Sequence, residues 1–269
     1  MDRQQILANP INRWYDARMY NPAFLELYDG TEWANFGYTE SAGDTRLQAC
    51  RNLMERLLAL LPDKQGSILD VACGKGETTR HLLNHYPAHR VTGINISEKQ
   101  LDTARTRAPG VDFRLMDAVQ LEFADASFNT VICVEAAFHF HTRQQFLKEA
   151  LRVLKPGGML ILSDVLVSVE SARRRPYHHE QNYLRDPAAY RGALAEAGFD
   201  NPRVIDVTDQ AWRAHFLAVA QVMHDRFVHG KISRDELQNL MGPAYELAAD
   251  IQYYVLAAGT KPPAPRSVT

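Results

Sequence analysis

At 269 residues, 46% hydrophobic and 23% charged, the chain can bury one large core, or one core and a cap, and is neither disordered nor fibrous. A formal charge of -2 gives no general attraction to phosphate backbones or anionic membranes, so the expected partner is a small molecule and not nucleic acid. No apolar stretch reaches the roughly 20 residues of a membrane span, and the start MDRQQILANP lacks a signal peptide's basic-then-apolar layout, which makes the cytoplasm the expected location. Cys50, Cys73 and Cys133 are odd in number, far apart and in apolar contexts; they read as reduced and structural, without a disulfide framework or zinc cluster.

Residues 1–62 read as a helical and aromatic cover. WYDARMYNPAFLELYDGTEWANFGY is richer in rings than core packing requires, and TRLQACRNLMERLLALLP sets Leu47, Cys50, Met54, Leu57, Leu58 and Leu61 on one helical face stopped by Pro62. From 63 to 165 apolar runs alternate with helical stretches. SILDVAC, RVTGINI, VDFRLMD, FNTVICVE and GMLILSDVLV read as strands, several apolar throughout, as strands buried on both faces must be. Ser97 with Gln100 and Thr142 with Gln145 fit capping boxes, and the helix LKEALRVL ends at KPGG, where Pro156 and Gly157 stop it. The alternation predicts an α/β fold, a parallel sheet wound on both faces.

Beyond Val165 the spacing changes. Residues 166–186 read as a polar, basic, exposed insertion; 187–209 return to the core with a helix ending at Gly198 and a sixth strand, NPRVIDVTD. Two helices within 210–249 form a cap, 250–260 the last strand, and the proline-rich 261–269 a frayed tail. No internal repeat is present.

The run ILDVACGKGETTRHLL, residues 68–83, puts Gly74 and Gly76 at the turn from the first strand into a helix. Glycine lets a ligand approach the backbone, and the helix start supplies free N–H donors; a tight turn needing no ligand has the same pattern. A dinucleotide fingerprint would need glycine where Thr79 stands.

LDVACGKG, VTGINIS, LMDA, FNTVICVEAAFH and LRVLKPGGMLILSD, in this order, resemble the class I S-adenosylmethionine-dependent methyltransferases across residues 66–165, and the later GF helix, strand and YYVLAAGTK continue the likeness. The resemblance implies a Rossmann-like, doubly wound, mostly parallel seven-stranded sheet with an antiparallel last strand, plus a helical cap. It implies S-adenosyl-L-methionine as cofactor. Asp70 would organise the loop and the methionine amino group, with Ala72, Gly74 and Gly76 forming the turn; Ala72 replaces a usual glycine. Asn95 stands where Asp or Glu usually accepts the ribose hydroxyls, and Gln100 would help there, in competition with its capping role. Ile96 would cover the adenine, and Asp117 with the backbone of Ala118 would take its amino group and ring nitrogen, Asp117 otherwise reading as a strand-end cap. Glu135 would contact cofactor or backbone, and Tyr38, in NFGY, the methionine portion.

VEAAFHFH places His139 and His141 just past the fourth strand, where a neutral imidazole suits proton removal near pH 7. Natural-product O-methyltransferases look similar here, so His139 is the first candidate base and His141 the second, both otherwise packing residues. Asp164, at the end of the fifth strand, reads as orienting a histidine or binding a hydroxyl, or as a cap. YHHE at 177–180 and RRR at 173–175 read as solvated surface; no set of side chains shows metal-ligand spacing, and none is expected to bind a metal. The reading is O-methylation of a small, largely apolar specialised metabolite. C-methylation of a terpenoid or sterol-like double bond, N-methylation, and cofactor binding without catalysis are the alternatives. The oligomeric state is open, a homodimer included.

Overall fold

Apolar runs with a two-residue period set the framework of the molecule, seen in a computed structural model that describes residues 3–264 apart from 27, 29 and 175–179. Strands β1 (Ile68–Val71), β2 (Val91–Asn95), β3 (Asp112–Leu115), β4 (Phe128–Val134), β5 (Leu154–Val167), β6 (Asp200–Asp206) and β7 (Ile251–Thr260) form one seven-stranded sheet in the order β3-β2-β1-β4-β5-β7-β6. The first five pair in parallel, and β7 runs antiparallel to both β5 and β6. The expected mostly parallel sheet with an antiparallel last strand is therefore the observed one.

The helices are α1 (Arg3–Leu7), α2 (Pro10–Met19), α3 (Pro22–Glu26), α4 (Arg46–Leu58), α5 (Glu77–Leu82), α6 (Glu98–Arg107), α7 (Arg143–Val153), α8 (Val169–Arg174), α9 (Pro187–Glu196), α10 (Ala214–Val228) and α11 (Arg234–Asp250). Strand alternation divides the core. Ile68, Ile132 and Ile161 face the layer where α4 buries Cys50, Leu53, Met54, Leu57 and Leu58. Leu69, Val71, Val131, Cys133, Leu160 and Leu162 face the other layer, against Phe146, Leu147 and Ala150 of α7 and Tyr190 and Leu194 of α9.

Several boundaries differ from the sequence expectation. The helix read as running to Pro62 ends at Leu58, capped by Ala59. The KPGG stretch lies within β5, because Gly157 N donates to Lys261 O and Lys261 N donates to Gly158 O, adding a rung to the sheet. The first cap helix opens with a π-helical turn over Asp209–Arg213. Ser97 and Thr142 cap their helices through Gln100 N and Gln145 N, both at 3.2 Å, but the Gln100 side chain turns away, so that box is half-formed. Ser233 and Glu236 make a full box instead. Residues 177–179 of YHHE, Arg175 and the end of the tail lie outside the described residues.

Asp164 sits inside β5 with no exposed surface. One oxygen accepts from Arg143 Nε at 2.8 Å and from Tyr190 Oη at 2.9 Å, and the other from Val165 N at 2.9 Å. Burial alone would lower the Arg143 pKa; Asp164 and Tyr190 outweigh it and hold the guanidinium charged. The network ties α7 and α9 to β5. Asp164→Ala, which strands a buried guanidinium, is expected to cost about 3–5 kcal/mol in urea unfolding at pH 7. A loss below about 1 kcal/mol would contradict this account.

Candidate active site

The chain must turn sharply after β1 to enter α5, and it does so with Ala72, Gly74 and Gly76 at φ of 59°, 55° and 87°. These are left-handed conformations, which cost a residue with a Cβ about 1–2 kcal/mol. Ala72, expected as a mild replacement of glycine, occupies one of these strained positions. A Cβ on Gly76 would lie 2.7 Å from Ala104 Cβ, so that glycine lets the turn pack on α6. A Cβ on Gly74 would sit in ordinary contact with Met19 Cε at 3.5 Å and Gln100 Oε1 at 3.9 Å, without a clash. Beneath the turn, Asp70 accepts from Thr78 Oγ1 at 2.8 Å and Thr79 Oγ1 at 2.6 Å. Burial raises its pKa to about 6 against those two bonds. The threonine that breaks the dinucleotide fingerprint is thus an anchor of the turn.

The turn opens onto a cavity of about 1770 Å³. Ala72, Gly74, Asn95, Ile96, Gln100, Asp117, Ala118, Glu135, His139 and His141 all border it. Asn95 Nδ2 donates to Gln100 Oε1 at 2.9 Å and its Oδ1 accepts from Ile96 N at 2.8 Å. Asp117 accepts from Val119 N at 3.0 Å, so the cap is present beside the cavity position. Asp70 and Gly76 lie behind this wall as supports.

Two expectations are corrected. Tyr38 is not on the cavity: its N–H donates to Ala49 O at 2.7 Å, and its ring lies 5.0 Å under the Arg56 guanidinium, holding the segment to α4. Asp164 is engaged in the buried network described above and reaches neither histidine nor cavity. Its influence is indirect, because Arg143 N donates to Asn182 Oδ1 at 2.7 Å and Asn182 Nδ2 donates to Phe138 O and Phe140 O at 3.2 and 2.7 Å. Asn182, from the segment read as exposed, is buried and pins the loop that carries His139.

The N-terminal segment roofs the cavity. Asn12 Nδ2 donates to Ile96 O at 2.8 Å, and Asp16 Oδ1 accepts from Ser97 Oγ and Gln100 Nε2, both at 2.8 Å. The buried Lys75 donates to Met19 O at 2.6 Å and pairs with Glu32. The opposite wall is apolar, formed by Phe216, Met223, Leu240 and Leu247 of the two cap helices, with Arg226 and Glu236 at its polar edge.

Tyr15 Oη lies 2.7 Å from His139 Nε2, their rings edge to face. Burial pushes the Tyr15 phenol above its usual range, so it stays protonated. Glu135, at φ 51°, accepts from Phe36 N at 2.8 Å and Tyr254 Oη at 2.5 Å. Burial raises its pKa to about 7 despite those bonds. His215 also borders the cavity, stacked among Phe36 and Trp212, and burial holds it neutral. Tyr15, Asp16, Asn182 and His215 carried no sequence signal beyond membership of polar or aromatic segments, since each acquires its place only through long-range packing.

A left-handed glycine turn after β1, an amide at the end of β2 and an acid after β3, around one cavity, define a nucleoside-cofactor site at the carboxyl edge of a doubly wound sheet. The methyltransferase domain family matches residues 69–162. The chain is 36% identical over 168 residues, 59% of each protein, to 27-O-demethylrifamycin SV methyltransferase of Amycolatopsis mediterranei (strain S699). It is 35% identical over 207 residues to O-methyltransferase cnsE of Penicillium expansum, covering 68% of this chain and 73% of that one. In fold it is similar to geranyl diphosphate C-methyltransferase of Streptomyces coelicolor A3(2), with a TM-score of 0.67 and 16% identity over 94% of this chain and 99% of that one. The chain belongs to the S-adenosylmethionine-dependent methyltransferases. Gly74, bare of a side chain and on the cavity wall at φ 55°, fits the close backbone approach that such a cofactor would make. Among the described residues no helix is long and apolar enough to cross a membrane.

The Glu135 carboxyl binds a proton more tightly folded than unfolded, so its contribution to stability is complete below about pH 4.5 and lost as pH rises through about 7. Relative to wild type, Glu135→Gln should therefore gain up to roughly 3 kcal/mol in unfolding free energy between those pH values. A difference that stays flat with pH would contradict the burial argument.

Proposed function

We propose that the protein methylates a hydroxyl of a small, largely apolar specialised metabolite, and that His139 takes up the hydroxyl proton. The observation that carries this reading is the Tyr15 Oη to His139 Nε2 contact of 2.7 Å at the cavity wall. Gly74, Asn95, Ile96, Gln100, Asp117 and the backbone of Ala118 would hold the cofactor, which when bound supplies an electrophilic methyl and a good leaving group. The chain's own part is orientation and proton removal. Tyr15 accepts the acceptor's proton while its own passes to Nε2 of a neutral His139.

A cavity of about 1770 Å³ exceeds the roughly 300–1,000 Å³ of an ordinary ligand site, leaving room for a large acceptor beside the cofactor. The apolar cap helices suit a polyketide-like skeleton, and 27-O-demethylrifamycin SV, for which the Amycolatopsis relative is named, is a natural first acceptor to try. A second reading rests on Glu135, which shares the cavity wall with the aromatic residues Phe36, Phe138 and Trp212. Acid and rings together suit a carbocation, and so methylation at carbon.

Transfer of a labelled methyl to 27-O-demethylrifamycin SV and other hydroxylated polyketides separates the readings. His139→Ala and Tyr15→Phe should each lower kcat by about 10²–10⁴, and the His139→Ala deficit should shrink as pH rises towards the acceptor's pKa. An unchanged His139→Ala rate beside a severely impaired Glu135→Gln enzyme would replace oxygen by carbon as the acceptor atom.

A further inference from the structure

The helix that follows the glycine turn carries a second cluster on its outer side. Beyond Leu82 the chain keeps turning, with His85 N and Tyr86 N both donating to Leu82 O at 2.9 Å. The four-residue spacing of His81 and His85 therefore places both imidazoles on one face. Across from them α4 presents Glu55, whose Oε1 meets His81 Nε2 at 2.7 Å and His85 Nε2 at 2.8 Å. One ligand atom from each of the three lies within 4.8 Å of the other two. None of the three borders the cavity, although the His81 ring is edge-on to Trp33, which does, with centroids 6.1 Å apart.

Ion pairing explains this convergence poorly. With its carboxylate half exposed, such a carboxylate–imidazole pair stabilises by about 1 kcal/mol, and a second ring on the same oxygen adds repulsion whenever both rings are charged.

We propose that Glu55, His81 and His85 form a binding site for a first-row divalent cation, zinc foremost, which staples α4 to α5 outside the cavity. Two imidazole nitrogens and one carboxylate oxygen are a zinc donor set, with water completing a tetrahedron. Bonds of about 2.0–2.2 Å put tetrahedral ligand atoms about 3.3 Å apart. The carboxylate oxygen would have to recede only about half an ångström from each nitrogen, which side-chain rotation supplies. The metal takes the Nε2 lone pair of each neutral ring, whose single proton then sits on Nδ1, and a ring that starts charged releases its Nε2 proton to solvent. Glu55 is half exposed, which leaves the site open to ions in solution. The sequence showed no metal-ligand pattern because Glu55 stands 26 residues before His81 and joins the pair only through the packing of α4 on α5.

Tag-free, chelator-treated full-length protein, titrated with zinc chloride by calorimetry and with cobalt(II) by absorption and tryptophan emission, tests the site. One saturable equivalent of zinc is expected, with visible cobalt bands of a four-coordinate ion, displaced by zinc, and quenching of Trp33. His85→Ala and Glu55→Gln should weaken zinc binding by about 10-fold or more, since even the loss of a residue that only orients a ligand costs that much. The surface position of Glu55 makes Glu55→Gln the decisive variant if a histidine variant folds poorly. Absence of saturable zinc binding to the wild type, or equal affinity in a folded Glu55→Gln protein, would overturn the proposal.

Discussion

A backbone held in the left-handed region at Ala72, Gly74 and Gly76 determines where the rest of the site can stand. The turn exists because Asp70, withdrawn from water, is satisfied by Thr78 and Thr79 from the helix it begins, and because Gly76 lets that helix lie against α6. Had the turn been a wider loop, the end of β1 would not bring Gly74 beside Asn95 and Gln100. The strain at Ala72, about 1–2 kcal/mol, is offset by burial around it. The N-terminal segment then adds its own bonds, Asn12 to Ile96 O, Asp16 from Ser97 and Gln100, and Met19 O from Lys75 of the turn, so the roof is fastened to the elements that shape the floor.

The buried acids of this chain divide by what surrounds them. Asp164 has a guanidinium, a phenol and a backbone N–H on its two oxygens, and its charge is spent in holding β5, α7 and α9 together. Among the described residues Glu135 has only a phenol and a backbone N–H on its bonded oxygen, and its carboxyl is poised near neutrality at the cavity wall. The same asymmetry explains how Asp164 still bears on chemistry: through Arg143 and Asn182 it fixes the backbone of Phe138 and Phe140, and with it the direction of His139.

The sheet was legible in the sequence because strands buried on both faces must be apolar along their length, and SILDVAC, FNTVICVE and GMLILSDVLV are. The turn was legible because left-handed backbone demands glycine. Side-chain assignments at strand ends were less secure. Asp164 looked like a site residue because its strand ends nearby, and nothing local shows that Arg143 and Tyr190 meet it from two other helices. Tyr38 lies in a motif of the right composition, yet its ring is turned to Arg56 of α4. Tyr15 and Asp16 sit on a short helix whose docking onto β2 and α6 is encoded by no period, only by the match of Asn12 and Asp16 to groups more than eighty residues away.

The central claim is that the space above Gly74 receives S-adenosylmethionine, and calorimetric titration with S-adenosylhomocysteine tests it most directly. Wild-type protein should bind one equivalent saturably, and Gly74→Val, whose side chain would both strain the turn and enter the space between Met19 and Gln100, should bind none while retaining a cooperative melt. Failure of the wild type to bind, or undiminished binding by folded Gly74→Val, would contradict the account.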